Sequence, residues 1–251
     1  MKRLITGCVL MLVSLTIANA QNQRQGQRKG QNRQSQWSHI GTYISKDSLT
    51  RGPYTLIFIN KDSAFAETGS TVKQRMIDTF FEVYPKEAQR FNPNTATRLT
   101  FIIDPSYDGV AATSDEIIRY SPTWMLQHPN DIDVVTHEAF HVVQAYGSGA
   151  GPGWLTEGIT DYVRYKYGVD NAGAGWTLPA YKPEQSYTNS YRITARFLAW
   201  LEKNVNDKIV DSLDASMRSH TYTPEVWVKL TGKTLDDLWQ NYVQNPALVG
   251  S

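Results

Sequence analysis

The spacing in His137-Glu138-Ala139-Phe140-His141 constrains this chain more than any other stretch. On an α-helix, residues i and i+4 are neighbours on one face, so the two imidazoles lie one turn apart. A zinc ion takes nitrogen donors at about 2.0–2.1 Å in a tetrahedral shell. Two histidines at this spacing supply half of that shell without bending the backbone. The carboxylate beside the first histidine can reach a water in the open position and take its proton. Val134, Val135, Ala139, Val142 and Val143 recur at helical spacing, and Gly147 is expected to end the run.

The next segment strengthens that reading. Residues 147–153 are turn formers that break the helix. Residues 154–163 then predict a second helix returning antiparallel to the first. Glu157 would face the histidine pair as a third metal ligand. Asp161, one turn on, would accept the outer N–H of a ligand histidine and fix its tautomer. The bland alternative is a helix with two partly buried histidines and a solvated glutamate.

HExxH followed by ExxxD is the arrangement of the glutamate-zincin metallopeptidases. Residues 135–144 and 153–164 together are similar to the basic secretory protein family, secreted peptidases of plants and bacteria. The likeness continues through 191–198 and, weakly, through 230–233 with Leu238-Trp239, so it spans about residues 54–242. The resemblance implies an α+β, zincin-like fold, one zinc per chain and hydrolysis of peptide bonds in a protein or peptide substrate. Zinc would be held by His137, His141 and Glu157, with Glu138 as general base and Asp161 behind the ligands. It also implies an edge strand, here within 111–121, that holds substrate through its backbone. Tyr191 matches a family tyrosine at the start of the helix after the glutamate helix. That makes it the leading donor to the oxyanion, with Tyr162, Tyr187 and His220 as rivals. The chain departs from the family name, because its folded part is not basic.

Lys2 and Arg3, the apolar run 8–17 and Ala18-Asn19-Ala20 read as a secretory signal covering 1–20, cleaved after Ala20. The apolar run is too short for a typical membrane span, so no stable membrane insertion is expected once the signal is removed. A lipoprotein box at 5–8 is the rival reading, but it precedes the apolar stretch instead of following it. With Cys8 removed, no disulfide can form, which suits a secreted or periplasmic bacterial protein. Residues 21–36 are rich in Gln, Arg, Asn and Gly with no aliphatic side chain, so they are expected to be a disordered linker. Residues 37–251 form the expected metallopeptidase domain. Of 25 basic residues, two fall in 1–20 and four in 21–36; the remaining 19 face 24 acidic residues, leaving the domain near −5. A mildly acidic domain argues against nucleic acid as a partner.

Within the domain, 54–60 and 99–104 predict strands, and the apolar stripe Val72, Met76, Ile77, Phe80, Phe81, Val83 predicts a helix between them. A parallel pair with a crossover follows. Residues 116–121 predict another strand, and 190–203, 208–217 and 235–242 predict later helices. The expected whole is a small twisted mixed sheet packed on helices, with an active-site helix and a mostly helical C-terminal half. Phe140 and Trp154 are expected to pack between the two metal-bearing helices, and His39 and His128 to be peripheral. Asp104, Asp108, Asp115 and Glu116 could bind calcium but lack a recognised loop spacing. Two other functions stay open: a binding or adhesion module with structural zinc, and a glycopeptide- or wall-directed hydrolase. Oligomeric state and cleavage preference leave no mark in the sequence.

Overall fold

The computed structural model describes Trp37 and residues 39–248. The expected signal 1–20 and linker 21–36 lie outside the described residues. The chain divides after Thr42, and the unit from Tyr43 onward holds, among the described residues, a five-stranded sheet, nine α-helices and a short 3-10 helix at Tyr187–Asn189.

The strands are β1 (Ser45–Arg51), β2 (Tyr54–Asn60), β3 (Arg98–Ile103), β4 (Ala111–Ser114) and β5 (Ile117–Tyr120). Their order in the sheet is β1-β2-β3-β5-β4. β2, β3 and β5 run parallel, while β1 and β4 pair antiparallel at the two edges. β2 ends in five consecutive buried residues because helices cover the middle of the sheet; a strand buried on both faces does not alternate. β1 escapes the sequence pattern, with Leu49 its only apolar residue. Gly52, at φ +57°, turns β1 into β2. The expected edge at 111–121 is in fact a hairpin. Asp115, at φ +51°, turns the chain there, so only β4 is an edge and β5 is an inner strand.

α1 (Ser63–Thr68) and α2 (Ser70–Phe91) cross from β2 to β3. The Asp62 side chain caps α1, accepting the Phe65 N–H at 2.7 Å. Val72, Met76, Phe80, Val83, Tyr84, Glu87 and Phe91 form the buried stripe of α2. α3 (Pro122–Gln127) leads into α4 (Val134–Gln144) and α5 (Gly153–Tyr167). α6 (Tyr191–Asn204), α7 (Ile209–Arg218), α8 (Glu225–Thr231) and α9 (Leu235–Gln244) make the second half mostly helical, as the sequence predicts. Phe197, Trp239 and Tyr242 join α6 to α9 through rings 5.0–5.5 Å apart. Among the described residues no helix is long and apolar enough to cross a membrane.

Candidate metal centre and cleft

α4 is buried because β4, α2 and α5 pack around it. Of its eleven residues only His141 is not buried. It ends one residue past Gln144, where Ala145 takes the left-handed cap at φ +47°, earlier than the expected Gly147. Asp133, fully buried just before the helix, receives the Val169 and Asp170 backbone N–H groups at 2.7 and 2.6 Å and the Thr136 hydroxyl at 3.0 Å. Those bonds tie the far end of α5 to the start of α4.

The contacts between the two helices run in opposite order along the chain, so α5 returns antiparallel. Glu157 Oε2 lies 3.3 Å from His137 Nε2 and 3.6 Å from His141 Nε2. Asp161 Oδ1 meets His137 Nδ1 at 2.7 Å. Gln144 Nε2 donates to the Thr156 carbonyl at 3.0 Å, which turns its Oε1 toward His141 Nδ1 at 2.8 Å. An amide oxygen only accepts, so His141 carries its proton on Nδ1. Both Nε2 atoms therefore face Glu157. The three ligand atoms lie within 4.8 Å of one another, the only such group of three or more His, Cys, Asp or Glu side chains among the described residues. Two imidazoles, held from behind by Asp161 and Gln144, and one carboxylate fit a tetrahedral cation with an open fourth position.

Electrostatics agree with that fit. Burial disfavours a charged His137 ring, but the Asp161 and Glu157 carboxylates outweigh it and hold the pKa up at about 10. Burial also opposes the Glu157 charge, yet the two histidines drive its pKa well below the ordinary carboxylate range. The same concentration of negative charge around the His137 ring favours a bound cation.

Glu138 points to the same cleft. The Thr113 hydroxyl, on edge strand β4, bonds the Glu138 carboxylate Oε2 at 2.7 Å and its carbonyl at 2.9 Å. One carboxylate oxygen is thus anchored to the edge strand. Tyr191 opens α6 with its ring 6.2 Å from the His137 ring and nearly parallel to it. Its φ of +48° follows φ +68° at Ser190. A non-glycine residue in the left-handed region costs about 1–2 kcal/mol, so the chain is strained where it presents this phenol. The charge of Glu157, then burial, raises the Tyr191 pKa above 10.

The cleft around these groups has a volume of about 1920 Å³. Pockets for small ligands span roughly 300–1,000 Å³, so this one has room for an extended chain.

Other sequence candidates fall elsewhere. Tyr162 bonds Glu202 and Arg90, and the Tyr187 hydroxyl donates to Asp236 at 2.8 Å. His220 is exposed and lies against Gly147. His39 belongs to the unit before Tyr43. His128, expected to be peripheral, lines the cleft with its ring 4.0 Å from that of Trp124. Phe140 meets Phe91 of α2 at 4.9 Å, and Trp154 meets Tyr187 at 5.3 Å. Both rings thus reach elements beyond the two metal-bearing helices. Asp104 pairs with Lys61 and Arg119, and it forms no cation site with Asp108, Asp115 and Glu116. Thr113, Asp133 and Gln144 went unread as site residues. Only Gln144, three residues after His141 on the same helix face, had a local signal.

Residues 54–242 match the family described as "Peptidase of plants and bacteria". The comparison with curated proteins gives no match. Among solved structures, the fold is similar to Legionella pneumophila aminopeptidase A in complex with aspartic acid, at TM-score 0.53 and 14% identity. The match covers 78% of this chain and 27% of that one, so this chain spans about a quarter of its neighbour. A likeness to an M1 zinc metallopeptidase mutant of Deinococcus radiodurans has TM-score 0.40 and 13% identity, covering 80% and 48% of the two chains. At 14% identity the first likeness concerns the fold alone, which is α+β and zincin-like.

Proposed function

Since the chain belongs to the peptidase family of plants and bacteria, we propose that it is an exported, zinc-dependent hydrolase of peptide bonds in proteins or peptides. One zinc per chain would be held by His137 Nε2, His141 Nε2 and Glu157. The observation that carries this reading is the convergence of those three donors beside a carboxylate already anchored to an edge strand. When bound, zinc would supply a Lewis acid that polarises the scissile carbonyl and makes a water acidic, with a pKa near about 7.

The protein's own groups do the rest. Glu138, held at Oε2 by Thr113, takes the proton of the attacking water on its other oxygen and returns it to the leaving amine. Asp161 and Gln144 keep the ligand histidines turned toward the cleft. Tyr191, kept protonated at neutral pH, donates its phenol to the oxyanion. β4 is an edge strand of the sheet, and the backbone of an extended substrate would add there as a further strand. A site that is only structural has no use for an anchored base beside an open position, which argues against a mere binding module.

The signal-like residues 1–20 support export, with a mature chain beginning at Gln21. Incubating the zinc-loaded protein with a mixed peptide library, read by mass spectrometry, tests the function. Cleaved products that disappear in Glu138→Gln are expected. An intact library with stoichiometric zinc would leave a binding module instead.

A further inference from the structure

One end of the cleft carries two indoles that the mechanism above does not use. Trp124 donates its indole N–H to Asp131 Oδ2 at 2.9 Å. Asp131 Oδ1 receives Arg164 Nη2 at 2.6 Å, and Arg164 Nε donates to Asn171 at 3.1 Å. The Arg164 guanidinium, on a residue only 5% exposed, stacks over the Trp176 ring at 4.6 Å. The His128 ring lies beside Trp124. Trp124, Asp131, Arg164 and Trp176 therefore form one continuous wall, and all four line the cleft with the metal donors.

We propose that this wall is a subsite for an uncharged aromatic side chain on a substrate residue close to the scissile bond, an inference that rests on the peptidase reading.

Position is the first reason. Val134, which also lines this end, precedes His137 by three residues on α4. Arg164 follows Asp161, the partner of His137, by three on α5. Three residues of helix rise about 4.5 Å. An extended peptide advances about 3.3 Å per residue. Arg164, at the centre of the wall, is thus offset along α5 by a span of one or two residues of extended peptide from Asp161, the partner of His137.

Chemistry is the second reason. The Trp124 N–H, both Asp131 oxygens and two Arg164 nitrogens are already paired, and both indoles line the cleft. A sugar would find these hydrogen-bonding groups already taken. Trp176 already stacks on a guanidinium, so a basic side chain would meet like charge, and the charge of Asp131 is neutralised by Arg164. An acidic side chain gains nothing from a cation that is already paired. A flat apolar ring loses only water and gains stacking. The wall is fixed before any ligand arrives, so little ordering is needed on binding. Gly175, also on the cleft, has open space where a Cβ would be, next to Trp176.

The test compares wild type, Trp176→Ala and Trp124→Ala, all checked for zinc content and melting temperature, on the mixed peptide library. Wild type should prefer Phe, Tyr or Trp at one position near the cleaved bond. Each variant should lose that preference by tenfold or more, with the loss confined to that position. A second variant, Trp176→Leu, covers the case in which an alanine variant fails to fold. Undiminished aromatic preference in the folded variants, or a wild-type preference there for basic, acidic or glycosylated residues, would overturn the subsite. If wild type cleaves nothing, the peptidase reading fails, and calorimetry decides the subsite separately. N-acetyl-phenylalanine amide should then bind more tightly than N-acetyl-alanine amide, and Trp176→Ala should abolish the difference. Equal affinities would overturn it.

Discussion

Glu138 and Tyr191 approach the same reacting carbonyl with opposite duties, and single-atom changes separate them. Glu138→Gln keeps the shape and the Thr113 contact but cannot take a proton. Zinc content and fold should survive while turnover falls at least about a hundredfold, the scale of lost general-base catalysis. Steady-state kinetics with metal analysis checks this, and retained turnover would remove Glu138 from the chemistry. Tyr191→Phe should lower kcat by about 2–4 kcal/mol in barrier with little change in KM, because an oxyanion exists only in the transition state. A rise in KM alone would make Tyr191 a substrate-positioning group. The ligand residues were legible because helical spacing is written in the chain. Thr113 was not, since its bond to Glu138 joins residues 25 positions apart and depends on how the sheet meets α4.

The separation of α5 and α6 decides where Tyr191 sits. Gly158 follows Glu157 directly, and a Cβ there would fall 2.2 Å from Thr194 Cγ2. Thr194 is fully buried and its hydroxyl is bonded to the Tyr187 carbonyl at 2.6 Å, so it cannot swing aside. In an open helix Gly→Ala would gain about 1 kcal/mol; here overpacking of about 1–3 kcal/mol outweighs it. Gly158→Ala should therefore melt earlier and lose activity together, as α6 carries Tyr191 away from His137. Thermal unfolding and kcat/KM measured on one preparation check this, and a stable, fully active variant would contradict the close packing. The sequence showed that both helices exist but not how closely they approach. Periodicity names a buried face and is silent on what lies against it. For the same reason β1 was invisible: its pairing to β2 is set by Gly52 and the neighbouring backbone, with little apolar pattern to announce it.

At the scale of the whole molecule, one buried acid sets a pH limit. Glu87 of α2 is fully buried, and neither of its carboxylate oxygens has a hydrogen-bond partner among the described residues. Burial, with the charge of Asp133 adding to it and that of His137 opposing, pushes its pKa well above 4.5. Above pH 4.5 the unfolded chain releases this proton while the folded chain keeps it. The unfolded state then binds fewer protons, so stability falls as pH rises. Glu87→Gln should melt close to wild type in acid and progressively above it toward alkaline pH. Parallel melting curves at every pH would mean that Glu87 is ionised in the fold.

The two rims of the sheet differ in kind. β1 carries Lys46, Asp47 and Arg51, whereas β4 reads Ala111-Ala112-Thr113-Ser114 with no charge. Charged rims deter stray chains and neutral ones admit them. A rim left open for a visiting strand cannot tell a meal from a sibling. Concentrated protein should therefore stick to itself along β4, and short peptides in solution should keep it dispersed.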